Sequence, residues 1–101
     1  MDLFPKYIVE DDFIILGKVS YHKNLITDKS KVKGGGWYRY NSKLNLFIFY
    51  DSSHEFGKAK LEDVKKCVEE GKVYSNPMQI HNLTDKHKFA YDTGSEIIEL
   101  N

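Results

Sequence analysis

His22, with Tyr21 before it, is the residue most suited to chemistry in this sequence. Imidazole changes charge near neutrality, so it can serve as acid, base or nucleophile. A second stretch, Ser52-Ser53-His54-Glu55-Phe56-Gly57, is a polar run between an apolar segment and a helical one. Chain that leaves a strand and enters a helix offers free backbone donors and a favourable dipole to anions. On that reading Ser53, His54 and Gly57 are candidate phosphate-binding positions and His22 the candidate catalytic one. The plainer alternative is a connection whose serines bond to neighbouring backbone.

Gly34-Gly35-Gly36 can bring backbone N–H groups close to a ligand, or allow positive φ before a hairpin. No helix and no Gly-Lys-Ser/Thr follows it, so it is not a nucleotide phosphate loop, and a flexible turn is the commoner reading. Trp37-Tyr38-Arg39-Tyr40 is a candidate stacking platform, with Trp37, Tyr38 and Tyr40 as binding-surface residues and Arg39 as a phosphate-binding cation. Packing within a sheet is the commoner explanation of such rings. His54, His81 and His87 lack ligand spacing and Cys67 is the single cysteine. Neither a metal site, a cofactor nor an intrachain disulfide is therefore expected.

Elements must position these residues. Residues 13–26 read as one long strand, with Phe13, Ile15, Val19, Tyr21 and Leu25 on its core face. Lys18, Ser20, His22 and Asn24 then face solvent or a site, and Gly17 suggests a bulge. Thr27 to Lys33 is a polar loop. Residues 37–40 and 44–50 predict a hairpin turning at Asn41-Ser42-Lys43, its second strand covered on both sides. Leu61, Val64 and Val68 recur at helical spacing, Glu62 and Asp63 suit the first turn, and Gly71 is a stop; the main helix is expected over about 60–70. Residues 72–75 predict a short strand and 78–81 are ambiguous. Asp85-Lys86-His87-Lys88 reads as a solvated turn, and 88–91 with 96–100 as a terminal hairpin. The expected fold is α+β: a single domain over 1–101, a mixed or antiparallel sheet with one main helix packed on it.

In order along the chain, Tyr21-His22, then Gly34-Gly35-Gly36, then Phe49-Tyr50-Asp51-Ser52-Ser53-His54-Glu55-Phe56-Gly57-Lys58-Ala59 before a helix resemble the protein histidine phosphatase (Janus/Ocnus) family. The resemblance covers residues 13–75. It implies that His22 is the general acid or base and that Ser53, with nearby amides, cradles phosphate. In that family a phosphate-binding arginine follows the glycines; here Trp37 stands there, with Arg39 two residues on and on the same side of the strand.

Composition narrows the alternatives. Lys plus Arg equals Asp plus Glu at 15 each and Arg39 is the only arginine, which argues against a nucleic-acid binder. Hydrophobic residues at 41% and aromatics at 14% suit a folded, strand-rich chain. The N-terminus reads as no signal peptide and no apolar stretch is long enough to span a bilayer, so a cytoplasmic protein without membrane contact is expected. Two function classes follow: a small binding or interaction domain with a protein partner or a second copy of itself, and a phosphate-handling enzyme or degenerate relative centred on His22.

Overall fold

The computed structural model describes residues 2–76 and 82–101; the ambiguous stretch 78–81, His81 included, lies outside them. A mixed sheet runs through the chain. Its strands are β1 (Phe4–Glu10), β2 (Phe13–Val19), β3 (Val32–Asn41), β4 (Leu46–Tyr50), β5 (Val73–Ser75), β6 (Lys88–Asp92) and β7 (Ile97–Glu99). Their order across the sheet is β5-β2-β1-β3-β4-β6-β7. β2 with β5 and β4 with β6 are parallel pairs, and the other neighbours are antiparallel. One α-helix, α1 (Leu61–Glu69), is present among the described residues.

Cross-strand partners share a face. On one face Tyr7, Val9, Ile14, Leu16, Tyr38, Phe49, Phe89 and Tyr91 meet Val64, Cys67 and Val68 of α1 in the main core. Phe49 is its hub, with ring centroids 4.5 Å from Tyr7 and 5.8 Å from Phe89. α1 presents its apolar side at the expected spacing and stops where Gly71 takes φ +71°. On the other face Ile8, Ile15 and Val19 are covered by Leu25 rather than by a helix. Beyond that cover the same face stays partly open at Trp37, Leu46, Ile48 and Tyr50, which are half-buried.

Several expectations change. β1 replaces a segment that the sequence does not mark as a strand, and it is the sheet's interior neighbour of both β2 and β3. Pro5 and Lys6 interrupt its apolar pattern, while Asp11-Asp12 makes a tight turn in which Asp11 adopts φ +55°. The long strand expected over 13–26 ends at Val19. A 3₁₀ turn over His22–Asn24 follows, which leaves Tyr21 60% exposed rather than in the core.

The glycine triplet lies inside β3, not in a flexible turn, because β1 on one side and the 57–59 segment on the other approach its backbone. Leu44 sits in the hairpin turn, and α1 ends at Glu69 with Glu70 as its cap. β4 is covered by the core through Phe49; Leu46, Ile48 and Tyr50 on its second face are only half-buried. His87 is half-buried too, its ring edge-on to Phe47 with centroids 5.1 Å apart, so its segment is not merely solvated. No helix among the described residues is long and apolar enough to cross a membrane.

Candidate functional site

A turn, not a strand, aims His22. Tyr21 is extended at φ −134° and ψ 145°, and its N–H donates to Asn24 Oδ1 at 3.1 Å. The N–H groups of Asn24 and Leu25 close the turn on the Tyr21 and His22 carbonyls at 3.0 and 2.9 Å. Leu25 then buries itself beside Ile8 and Ile15. Two residues later the buried Glu10 carboxylate holds the chain down. It accepts the N–H groups of Thr27 and Asp28 at 2.7 and 3.2 Å and the Thr27 hydroxyl as well. Charge-assisted bonds of this kind are the strong ones, so the turn is pinned on its C-terminal side.

The imidazole consequently lies on the helix-free face, above β3, and is buried rather than facing solvent on a strand. A Cβ at Gly35 would stand 3.3 Å from His22 Cδ2 and 2.6 Å from the Tyr7 carbonyl oxygen. At Gly36 a Cβ would stand 2.6 Å from the Tyr50 carbonyl oxygen. The triplet thus exists for close approach of the ring and of neighbouring backbone. Nε2 of His22 lies 2.7 Å from the Gly36 carbonyl oxygen. A carbonyl only accepts, so Nε2 carries the proton and Nδ1 keeps its lone pair. Nδ1 has no hydrogen-bond partner among the described residues. Burial pushes the imidazole below its ordinary pKa; the Gly36 bond opposes this, Lys6 adds to it and Glu55 opposes it. At neutral pH the ring is uncharged.

His22 shares a cleft of about 280 Å³ with Lys6, Ser20, Tyr21, Trp37, Ser52, His54 and Glu55. Lys6 stands directly opposite Trp37 in the β1–β3 ladder. Its ammonium donates to the Ser20 carbonyl at 2.7 Å and lies 5.2, 5.6 and 6.0 Å from the ring centroids of Trp37, Phe4 and Tyr21. The amides of His22, Lys23, His54 and Glu55 have no acceptor among the described residues. A neutral imidazole with a free nitrogen, a fixed cation and unengaged amides can bind an anion and take a proton from a group beside it.

The expected residues divide. His22, His54 and Trp37 line the cleft. Ser53 and Gly57 instead close the loop on itself. Gly57 N–H donates to the Ser53 carbonyl at 2.9 Å, and Ser53 Oγ, buried, accepts Phe56 N–H at 3.1 Å. The Gly57 carbonyl accepts Gly35 N–H at 3.0 Å, which ties the loop to β3. Arg39 is on the same face as Trp37 but outside the cleft, paired with Asp92 at 3.4 Å and stacked on Tyr50. Tyr38 is in the core and only 8% exposed, whereas Tyr40 is 46% exposed and packs on Phe47.

Lys6 is a cleft residue that the sequence pattern does not single out, and Ser52 and Glu55 join it from the polar run that the pattern does mark. The alternation Phe4, Lys6, Ile8, Glu10 against Tyr7 and Val9 was the available clue to Lys6, a cation set into an apolar strand face. Among the described residues no group of three or more His, Cys, Asp or Glu side chains is arranged to hold a metal ion. No protein-family model, curated protein or solved structure matches the chain.

Proposed function

We propose that the chain binds a phosphoryl group in the cleft between the His22 turn and the 52–55 loop and acts on it through His22, as the resemblance to the protein histidine phosphatase family implies. One observation carries the reading: an imidazole held by Gly36, with its second nitrogen free, shares a cleft with the Lys6 ammonium and with Ser52, His54 and Glu55. Lys6 supplies the charge that an arginine after the glycines would otherwise supply. In hydrolysis the oxygen of water attacks phosphorus while its proton passes to Nδ1 of His22. The bond from phosphorus to the leaving atom breaks, and the protonated imidazole returns the proton to the leaving group. Lys6 and the free amides stabilise the charge on the transferring oxygens.

Amide-resolved NMR titration with inorganic phosphate tests binding, and release of phosphate from a phosphohistidine peptide tests turnover. Saturable shifts confined to residues 20–23, 36–37 and 52–56 are expected. Lys6→Met should weaken binding roughly tenfold, and His22→Gln should abolish turnover while binding survives. Absence of localised shifts rejects the reading.

A second reading is a self-associating interaction domain. Its support is the other half of the open face, where a groove of about 290 Å³ runs beside Leu44, Leu46, Ala90 and Ile97, with Leu44 62% and Ile97 54% exposed. β7 closes the sheet there with an unpaired outer edge among the described residues, a natural place for a second copy to add a strand. Sedimentation equilibrium tests it: a dimer abolished by Ile97→Lys supports this reading, and a monomer at every concentration rejects it.

A further inference from the structure

Trp37, Phe4 and Tyr21 surround the Lys6 ammonium, Trp37 and Tyr21 lining the cleft and Phe4 packing on Trp37, and their rings are not a closed core. Tyr21 is 60% and Phe4 39% exposed, while Trp37 is half-buried. Phe4 and Trp37 stand with centroids 5.4 Å apart and planes tilted by 54°, leaving ring faces splayed around the cation. Inorganic phosphate would use Lys6 and the amides of the cleft and would leave these rings wet. A ligand with an apolar plane next to its anionic group would use both.

We propose that Trp37, Phe4 and Tyr21 form an aryl subsite, so that the cleft selects a phosphate ester carried on a phenyl-type ring over a free or alkyl phosphate. The inference rests on the phosphate-binding reading of the cleft and adds the substrate class. The geometry that favours it is the setting of the ammonium. The Lys6 ammonium lies 5.2–6.0 Å from the three ring centroids and lines the same cleft as His22, so an anion paired with it would have ring surface beside it in the cleft that holds the imidazole. Tyr21 precedes His22 directly, so the pinned turn also fixes where the ring wall begins.

The test compares phenyl phosphate, propyl phosphate and inorganic phosphate by NMR titration of the full chain, with fluorescence of its single tryptophan as a second readout. Phenyl phosphate is expected to bind about tenfold more tightly than either of the others and to quench Trp37. Trp37→Leu should bring phenyl phosphate to the affinity of propyl phosphate, a larger loss than it causes for inorganic phosphate. Because Trp37 is half-buried, the exposed Tyr21→Ala is the companion variant, and a partial loss of the same selectivity is expected from it. Equal affinities for the three ligands, or equal weakening of all three in both variants, overturn the subsite while leaving phosphate binding intact. No localised shift with any of them overturns the subsite and the phosphate reading together.

Discussion

Gly36 accepts a hydrogen bond from His22 through a 2.7 Å contact between its carbonyl oxygen and Nε2. The two residues come from different parts of the chain, a turn after β2 and the middle of β3. The contact fixes the tautomer and therefore decides which nitrogen can react. It also accounts in part for Gly35, whose Cβ would stand 3.3 Å from the ring, while Gly34 and Gly36 make room for the backbone of Lys58–Ala59 and of Tyr50–Asp51.

That contact, with burial of the ring, sets the pH behaviour of His22. Folding lowers its pKa below the ordinary value of about 6.5, chiefly by desolvating the charged form. Between the folded pKa and about 6.5 the unfolded chain binds more protons than the folded one, so stability rises with pH through that window. The stabilisation is complete above the unfolded value and lost as pH falls through the folded one. Ring ¹⁵N spectra recorded against pH should show a neutral Nε2–H tautomer at pH 7 and a midpoint below 6.5. Turnover dependent on neutral His22 should rise through the same midpoint. An Nδ1–H tautomer, or a midpoint above the ordinary value, would contradict this account.

Gly35→Ala should both destabilise the fold and move the imidazole. The new methyl would lie 2.6 Å from the Tyr7 carbonyl oxygen, which is backbone and has no room to give. Overpacking of this kind costs about 1–3 kcal/mol. Gly94 separates crowding from backbone strain: nothing lies within 4 Å of its Cβ position, but its φ is +97°. Gly94→Ala should cost about 1 kcal/mol and leave His22 untouched. Urea denaturation and the His22 ring resonances of both variants decide the matter.

Glu10→Gln tests the anchor behind the His22 turn. The carboxylate accepts two amides and a hydroxyl; an amide side chain loses the charge that strengthens these bonds and meets the Thr27 hydroxyl with an N–H in place of an acceptor oxygen. A loss of about 1.5–3 kcal/mol is expected. Hydrogen exchange at Thr27 and Asp28 should quicken more than exchange at Phe49, which lies in the core on the other face. Unchanged exchange at both amides would show that Leu25 alone holds the turn.

The elements that were legible in the sequence are those defined by local pattern. Leu61, Val64 and Val68 with Gly71 marked α1, and the β3–β4 and β6–β7 hairpins followed from apolar runs flanking turn residues. β1 was hidden because Pro5 and Lys6 break its pattern for reasons that belong to the site: Lys6 faces the cleft, and its partner Trp37 is thirty-one residues away in sequence. His22 was misplaced because the alternation of β2 continues by coincidence through Ser20, where the chain in fact leaves the sheet and the serine hydroxyl donates to the Asp2 carbonyl at 2.9 Å. The loop serines were legible as a pair but not by role. Ser52 reaches the cleft and Ser53 closes the loop, a division set by the bond between Gly57 and β3 rather than by composition.

Two buried tyrosines offer opposite outcomes from the same substitution. Tyr91 donates its hydroxyl to the Ala59 carbonyl at 2.7 Å, joining β6 to the segment that leads into α1. Tyr7 lies fully buried against Phe49 and its hydroxyl has no partner among the described residues. Burial raises the pKa of Tyr7 well above the usual phenol range, with Tyr91 nearby adding to the rise, so the group is a neutral, unpaired hydroxyl at every working pH. Tyr91→Phe removes one partner of a made bond and leaves the Ala59 carbonyl unsatisfied, a cost of about 1–3 kcal/mol. Tyr7→Phe removes a polar group that was desolvated without compensation, so it should be neutral or stabilise by up to about 1 kcal/mol. Urea midpoints of the two variants against the parent chain measure both. A Tyr7→Phe protein as destabilised as Tyr91→Phe would mean that the Tyr7 hydroxyl has a partner in solution, such as a buried water.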